Sequence, residues 1–537
     1  MEGNEKHWLP HYIDAVPIEA SRKKTSMYVI ALEGWRRGMT LKFYNKNEDN
    51  KLQIRYSLSH QGHEHHFQGS KGDKVTEEAY NVCDNKGLTN EYLSKAGVPI
   101  PQGKKFSAET KDSEILHYAK TLEFPLVLKP TNGCAGKGVI ANIETIEELK
   151  EALVYVRKEI NYPEVIVEQF VTGEEIRVYV LGDKILGAAN RRPANIVGDG
   201  VNTVQQLIRK KNQERKKIPH LYFRPIKVDK EVRHSIEGAG YTLDSIPKAG
   251  KRIYLRKISN VSAGGDPIDF TNRLTDNMKN IAISAVKAVP GLVQCGVDMI
   301  IDEKRDRGVI LELNTKAGIG SHIFPIEGYG RDIPKAIIDY YFPETKEMHN
   351  PDSKVFFDLK SIIDSLQRRS SIEIEVTPAP TETLFAKKFT LSGSVSRRSF
   401  HSWIKKEALS RNLHGSVNKL RNGDIDVLIA GASEAQVDTF KELLSKHFAT
   451  AQIDDIAEER WQHPVKVGFE ISNELTTMTL EHLEDELTMI KKEMEKVQRE
   501  RKRFERRTKM IVQSRSWKMI EPLRKLFHFF KKTLAVK

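Results

Sequence analysis

At 537 residues, with 39% hydrophobic and 30% charged side chains, the chain is long enough for three or more folded units, and its composition excludes general disorder. Its formal charge of +13 points toward anionic partners, but the excess gathers near the C-terminus, where Lys491 to Arg507 is dense in Lys and Arg. Three scattered cysteines (Cys83, Cys134 and Cys295) argue against a disulfide-built domain; no basic-apolar leader and no run of about 18 apolar residues is present, so a reducing, cytoplasmic setting is expected.

In chain order, residues 1–74 give short mixed segments, an N-terminal unit of unclear fold. Its histidine cluster (His60, His63, His65 and His66) reads as a solvated loop before it reads as a transition-metal site. From 75 to 345, helical patterns such as Ile146 to Lys158 alternate with apolar runs such as Val165 to Glu168 and Val309 to Leu313, the rhythm of an α/β enzyme. Residues 346–383, with the Thr377-Pro378-Ala379-Pro380-Thr381 run, read as a linker. Residues 384–466 return to a compact β/α pattern, with a strand pair flanking Asn422-Gly423. Between 474 and 512, Leu480, Leu483, Leu487, Ile490, Met494, Val497, Arg501 and Phe504 recur at alternating steps of three and four, predicting a coiled-coil helix whose apolar seam Arg501 interrupts. The last segment, 513–537, is a basic amphipathic tail.

The chemistry concentrates in 75–345. Nucleotide phosphates call for cations and backbone N–H donors, and Lys129, Lys137 and the glycine-rich stretch Gly133 to Gly138 supply both. The spacing is too short for a P-loop, and Gly138 stands where a magnesium-binding Ser or Thr would be needed. Magnesium takes oxygen ligands and bridges carboxylates to phosphates. Asp298, Glu312 and Asn314 fit: the last two, two apart on a strand, share one face, and Asp298 comes from the preceding strand-like run.

From Asp84 on, the order of DNKGLTNEYLSKAGVPIP, PLVLKPTNGCAGKGV, VIVEQFVTGEEIRVYV, GVDMI and ILELNTKAG resembles the ATP-grasp superfamily. The resemblance implies an α/β chain whose core is the α+β ATP-grasp fold, using ATP and Mg2+, with Mn2+ as the alternative ion. It places adenine against the segment of Glu168, Gln169 and Val171, the ribose at Glu175, and the phosphates at Lys129, Gly136, Lys137 and Gly138. Lys86 matches an additional nucleotide-contacting lysine of D-alanine:D-alanine ligase-like members, against the alternative of a solvated surface lysine. AANRRPANIVGDG, YLRKISNVSAGGDPIDFTNRL and ELNTKAGIGSHIFP narrow the resemblance, over Asp84 to Tyr341, to the modules of cyanophycin synthetase and bifunctional glutathione synthetase. Arg177, Arg191 and Arg256 are the candidates to bind a carboxylate or the anionic acyl phosphate, since guanidinium meets planar oxyanions bidentately; structural ion pairing is the alternative for each. Two departures stand out: no Mur-ligase-like half with a P-loop follows, and Ala317 and Gly320 occupy positions where those members tend to show Pro and Arg. Neither cyanophycin nor glutathione is carried over as product.

KKFTLSGSVSRRSFHSWIKKEALSRNLHGSVNKLRNGDIDVLIAG resembles acylphosphatase, which implies a small ferredoxin-like α/β sandwich. His401 and Lys419 fall where that family has its phosphate-binding arginine and water-orienting asparagine. A charged lysine takes no proton from water, so hydrolysis by the usual route is not expected. The leading expectation is an ATP-dependent ligase joining a carboxylate to an amine or related nucleophile through an acyl phosphate. The alternatives are an acylphosphatase-type hydrolase acting through the small domain, and an ATP-binding scaffold at a membrane. Partners expected are a small-molecule or peptide carboxylate, an amine acceptor, an anionic membrane surface met by the tail, and further copies of the chain; nucleic acid is not expected.

Overall fold

The computed structural model describes residues 6–21, 24–48, 51–131, 138–256, 259–395, 397–446, 453–473 and 494. The predicted coiled coil, Met494 apart, and the basic tail lie outside the described residues. The chain divides into two compact units, one built mainly from residues 1–386 and the other mainly from 387–461 with the strand beginning at Phe469.

In the first unit, helix α1 (Thr25–Arg36) carries apolar residues nearly all round and is buried on every face, as such a pattern requires. Gly34 lets it close on the sheet beneath: a Cβ there would come within 2.5 Å of Leu58. That sheet comprises β1 (Thr40–Glu48), β2 (Lys51–His60), β3 (His63–Gln68) and β4 (Lys71–Gly72), with Glu373–Glu375 pairing antiparallel to β1 at the edge. The stretch expected to be a linker therefore completes this layer. Between its polar start and its proline run, the helix Leu359–Gln367 buries Leu359, Ile362, Ile363 and Leu366 at steps of three and four, and Trp35 donates to the Thr377 carbonyl at 2.7 Å. The histidine cluster is a hairpin, not a loop: His60 pairs with His63 across a two-residue turn whose Gln61 and Gly62 both take positive φ. His65 bonds Asp73 at 2.8 Å and His66 bonds Tyr44 at 2.9 Å.

The segment from about residue 75 begins with helices α2 (Glu77–Asp84) and α3 (Lys86–Lys95) and, besides an antiparallel pairing of Asn195–Val197 with Arg252–Tyr254, holds two main antiparallel sheets. The smaller contains β5 (Gly103–Phe106), β6 (Leu126–Pro130), β7 (Ile140–Ile143) and β8 (Val165–Gln169), in spatial order β5-β8-β6-β7. Strand alternation sends Leu126, Leu128, Val165 and Val167 into a core with helices Asp112–Ala119 and Ile146–Leu153, leaving Lys129 and Glu168 on the other face. The larger contains β9 (Glu174–Leu181), β10 (Lys184–Arg192), β11 (Asp266–Asp269), β12 (Gln294–Asp302) and β13 (Arg307–Asn314), in order β11-β10-β9-β12-β13. Its Ile176, Val178, Val297, Met299 and Ile310 pack on the helix Asp276–Lys287 side. The opposite face carries Glu175 and Arg177, then Tyr179 and Leu181, which join the core of the N-terminal layer.

The second unit runs β14 (Phe385–Gly393), α4 (Arg398–Ser410), β15 (His414–Lys419), β16 (Ile425–Gly431), α5 (Glu434–Lys446) and β17 (Ile453–Arg460), with sheet order β17-β14-β16-β15. This is the ferredoxin-like βαββαβ arrangement expected from the sequence, extended by Phe469–Asn473 pairing parallel to β15.

Candidate active site

The polar face of the larger sheet assembles Glu175, Arg177, Arg191, Asp298, Glu312 and Asn314 from among the residues singled out by sequence. Register places Arg177 of β9 opposite Asp298 of β12, and Asp298 opposite Glu312 of β13, so three ionic side chains form one row across three strands. Asn314, two residues beyond Glu312, lies on the same face, and its Nδ2 donates to Asp298 Oδ2 at 3.3 Å. Arg177 grips Asp298 with two bonds of 2.6 Å each. Arg191 of β10 donates from Nη2 to both Asp298 oxygens, at 3.1 and 3.4 Å, and from Nη1 to Glu175 at 2.6 Å. Burial pushes the Asp298 pKa up, but the attraction of Arg177 and Arg191 outweighs it and holds the carboxyl below the usual carboxylate range. For Glu175 the balance reverses: burial raises its pKa more than Arg191 lowers it, and the neighbouring Asp298 charge adds to the rise.

Lys86 ties this row to the smaller sheet. Its Nζ donates to Glu312 Oε1 at 3.2 Å, while its backbone N–H bonds the carbonyl of Thr131, the residue after β6. On β6 and β8, Lys129 pairs with Ile166 and Val127 pairs with Glu168, so Lys129 and Glu168 are diagonal neighbours on one face. Their side chains form a buried ion pair at 2.6 Å, and Glu168 Oε2 has no hydrogen-bond partner among the described residues. The backbone N–H groups of Gln169 and Phe170, at the end of β8, are bonded to Gln102 and Pro125 carbonyls, and Val171 follows half-buried.

Not all expectations meet here. Arg256 spends its guanidinium on Asp229, Glu231 and the Ala263 carbonyl, none of them in the row, which is the structural ion pairing weighed for it from sequence. Glu175, expected at the ribose, is bonded to Arg191. Gly136 and Lys137 lie outside the described residues; Gly138 takes a φ of +75°, which glycine adopts without strain. Among the described residues no three His, Cys, Asp or Glu side chains converge as a metal group, so the candidate ligand set is two carboxylates and one amide. That all-oxygen set fits magnesium: Glu312 is engaged by a single lysine and Asn314 offers its amide oxygen, while Asp298 would share its oxygens with two guanidiniums. Nothing in its local sequence pattern marks His220, which packs over Gly320, while His322 lies within the ELNTKAGIGSHIFP stretch that carries the resemblance.

Residues 92–240 match the family model of the D-ala D-ala ligase C-terminus, and residues 387–471 match that of acylphosphatase. A glutathione biosynthesis bifunctional protein from Listeria innocua is 34% identical over 281 residues, covering 51% of this chain and 36% of that protein. A cyanophycin synthetase from Nostoc sp. is 30% identical over 307 residues, covering 56% of this chain and 33% of the synthetase. Among solved structures, a bifunctional glutathione synthetase from Pasteurella multocida gives a TM-score of 0.44 at 28% identity over 56% of this chain and 42% of that one. The chain spans about a third of the length of the curated relatives it matches. These matches bear out both resemblances read from the sequence, to ATP-grasp ligases and to acylphosphatase.

Proposed function

We propose that the segment from about 75 to 345 is an ATP-dependent ligase that joins a carboxylate to an amine or related nucleophile. A carboxylate oxygen attacks the γ-phosphorus of ATP and ADP leaves; the amine then attacks the acyl carbon, loses a proton, and inorganic phosphate departs. There is little covalent work for the protein in such transfers, so catalysis rests on positioning and on charge. The observation that carries the reading is the row Arg177–Asp298–Glu312, completed by Asn314 and Lys86, on one face of one sheet. Lys129, Lys137 and Lys86 neutralise phosphate oxygens, and Arg177 and Arg191, held by Asp298, face the developing oxyanion. Asp298, Glu312 and Asn314 would hold magnesium, which would supply positive charge to offset that of the phosphates.

The unpartnered Glu168 Oε2 supports a ligand group with a hydrogen-bond donor at that end of β8, as the exocyclic amine of adenine would provide. For the small domain we favour a non-hydrolytic role. His401 is buried with Nε2 bonded to the Val395 carbonyl at 3.1 Å, and Lys419 lies close enough to depress its pKa further after burial has done so. No described helix is long and apolar enough to cross a membrane. On sequence alone, the tail carries seven basic residues against one acidic from Arg515 to Lys537, and we extend the proposal to peripheral attachment at an anionic surface by a self-associating chain. The test of the main reading is release of ADP and phosphate on screening amino acids, small peptides and sugar acids in pairs.

A further inference from the structure

Two histidines that the chemistry above does not use are His220 and His322. They are 3% and 2% exposed, and none of their four ring nitrogens has a hydrogen-bond partner among the described residues. A buried polar group left unpaired destabilises the folded chain, and native proteins keep few of them. Two such rings in one part of the fold mark a place that something polar completes. They are neighbours: His322 contributes to the electrostatics of His220, and His220 lies over Gly320, where a Cβ would come within 2.7 Å of its own.

The short helix Gly320–Ile323 packs on β10 and β11, and His322 Nδ1 faces Gly187 of β10, 3.3 Å from where a Cβ would stand. Arg177 and Arg191 reach His322 electrostatically: after burial, they are the next causes that lower its pKa, to about 3. Burial, with Arg224, Arg215 and His322 behind it, holds His220 well below its ordinary value. Both rings are therefore neutral, each with one N–H donor and one acceptor nitrogen. The charges that act most strongly on the pair are positive, Asp269 and Asp298 being the weaker opposing influences on His322.

We propose that His220 and His322 form a subsite that holds an oxygen-bearing group of the carboxylate substrate, a hydroxyl, carboxamide or second carboxyl, beside the Arg177–Arg191 pair. This rests on the ligase reading and adds to it the class of substrate. An imidazole N–H donates to the oxygen. The surrounding guanidiniums disfavour a cationic side chain, and an aliphatic one leaves the rings unpaired. A site built to hydrogen-bond a polar group rejects the analogue that lacks it by far more than a shape mismatch would.

The test measures binding to the full chain saturated with Mg2+ and a non-hydrolysable ATP analogue, using L-asparagine, L-aspartate, L-leucine and L-lysine and their dipeptides as calorimetric probes. The expected result is that an oxygen-bearing probe binds at least about 100-fold more tightly than its leucine counterpart. His322→Leu and His220→Leu, made separately, lose at least tenfold of that affinity while nucleotide affinity and melting temperature hold. Gly320→Ala, which displaces His220, reproduces the loss. Wild-type preference in both leucine variants overturns the proposal, because it makes the histidines packing elements only. So does nucleotide binding without binding of any oxygen-bearing probe. Failure of the nucleotide itself to bind refutes instead the ligase reading on which the subsite rests.

Discussion

Replacing Asp298 by asparagine separates the electrostatics of the site from its shape. The amide keeps the volume and can accept one bond, but it removes the negative charge that two guanidiniums share. Asp298, Arg177 and Arg191 have side chains 8%, 18% and 17% exposed, so solvent screens this interaction little. Removing one partner of a buried pair costs about 3–5 kcal/mol, and for domains larger than 150 residues each kcal/mol moves the melting temperature by roughly 2–4 °C. Asp298→Asn is expected to lower the melting temperature of the full chain by about 6 °C or more, read by calorimetry at neutral pH. Arg177→Met added to it should cost less than the sum of the two single changes, because each alone orphans its partner. The acid side supplies a sign. The folded-state pKa of Asp298 lies below the ordinary carboxylate value, so its contribution is fully present above the unfolded value of about 3.9 and is lost as pH falls through the folded one. The deficit of the variant should therefore shrink below about pH 4. A melting temperature within about 1 °C of wild type at neutral pH would refute the claim that this carboxylate organises the arginines.

Three further outcomes are expected. Glu312→Gln should abolish ADP release while the melting temperature holds, since among the described residues its carboxylate bonds Lys86, at 3.2 Å, and no other side chain, and unchanged turnover would remove it from the site. The full chain should show no hydrolysis of acetyl phosphate by a generic colorimetric assay; robust hydrolysis lost on Lys419→Ala would restore the acylphosphatase reading. The full chain should co-sediment with anionic vesicles at low salt and be released at high salt, with binding weakened by deleting residues 513–537 or by Leu487→Lys; a chain that stays in the supernatant throughout leaves the tail without a membrane role.

The acidic half of the candidate site was legible because strand alternation is a local property: Glu312 and Asn314 two apart share a face whatever the rest of the fold does. The row itself was not. That Arg177 faces Asp298 depends on β9 and β12, more than a hundred residues apart, being neighbours in a fixed register, and no local pattern encodes that pairing. Arg256 looked like its two companions in sequence, and only the placement of Asp229 and Glu231 beside it separates them. The helix at Leu359–Gln367 had a readable apolar stripe, yet polar and proline-rich flanks suggested a connection; its partner, the β1–β4 sheet, lies some three hundred residues earlier. His220 carried no signal in the sequence, and His322 stood only within ELNTKAGIGSHIFP with no role of its own, since burial without partners is a property of the folded chain.

The acyl phosphate is the central claim, and the fate of one oxygen atom tests it. A carboxylate substrate labelled with heavy oxygen, once found by the paired screen, is incubated with Mg-ATP, the amine acceptor and the full chain, and the phosphate released is analysed by mass. Activation through an acyl phosphate transfers one labelled oxygen to inorganic phosphate in each turnover, alongside ADP. Unlabelled phosphate with product formed, or label appearing in AMP, would contradict it.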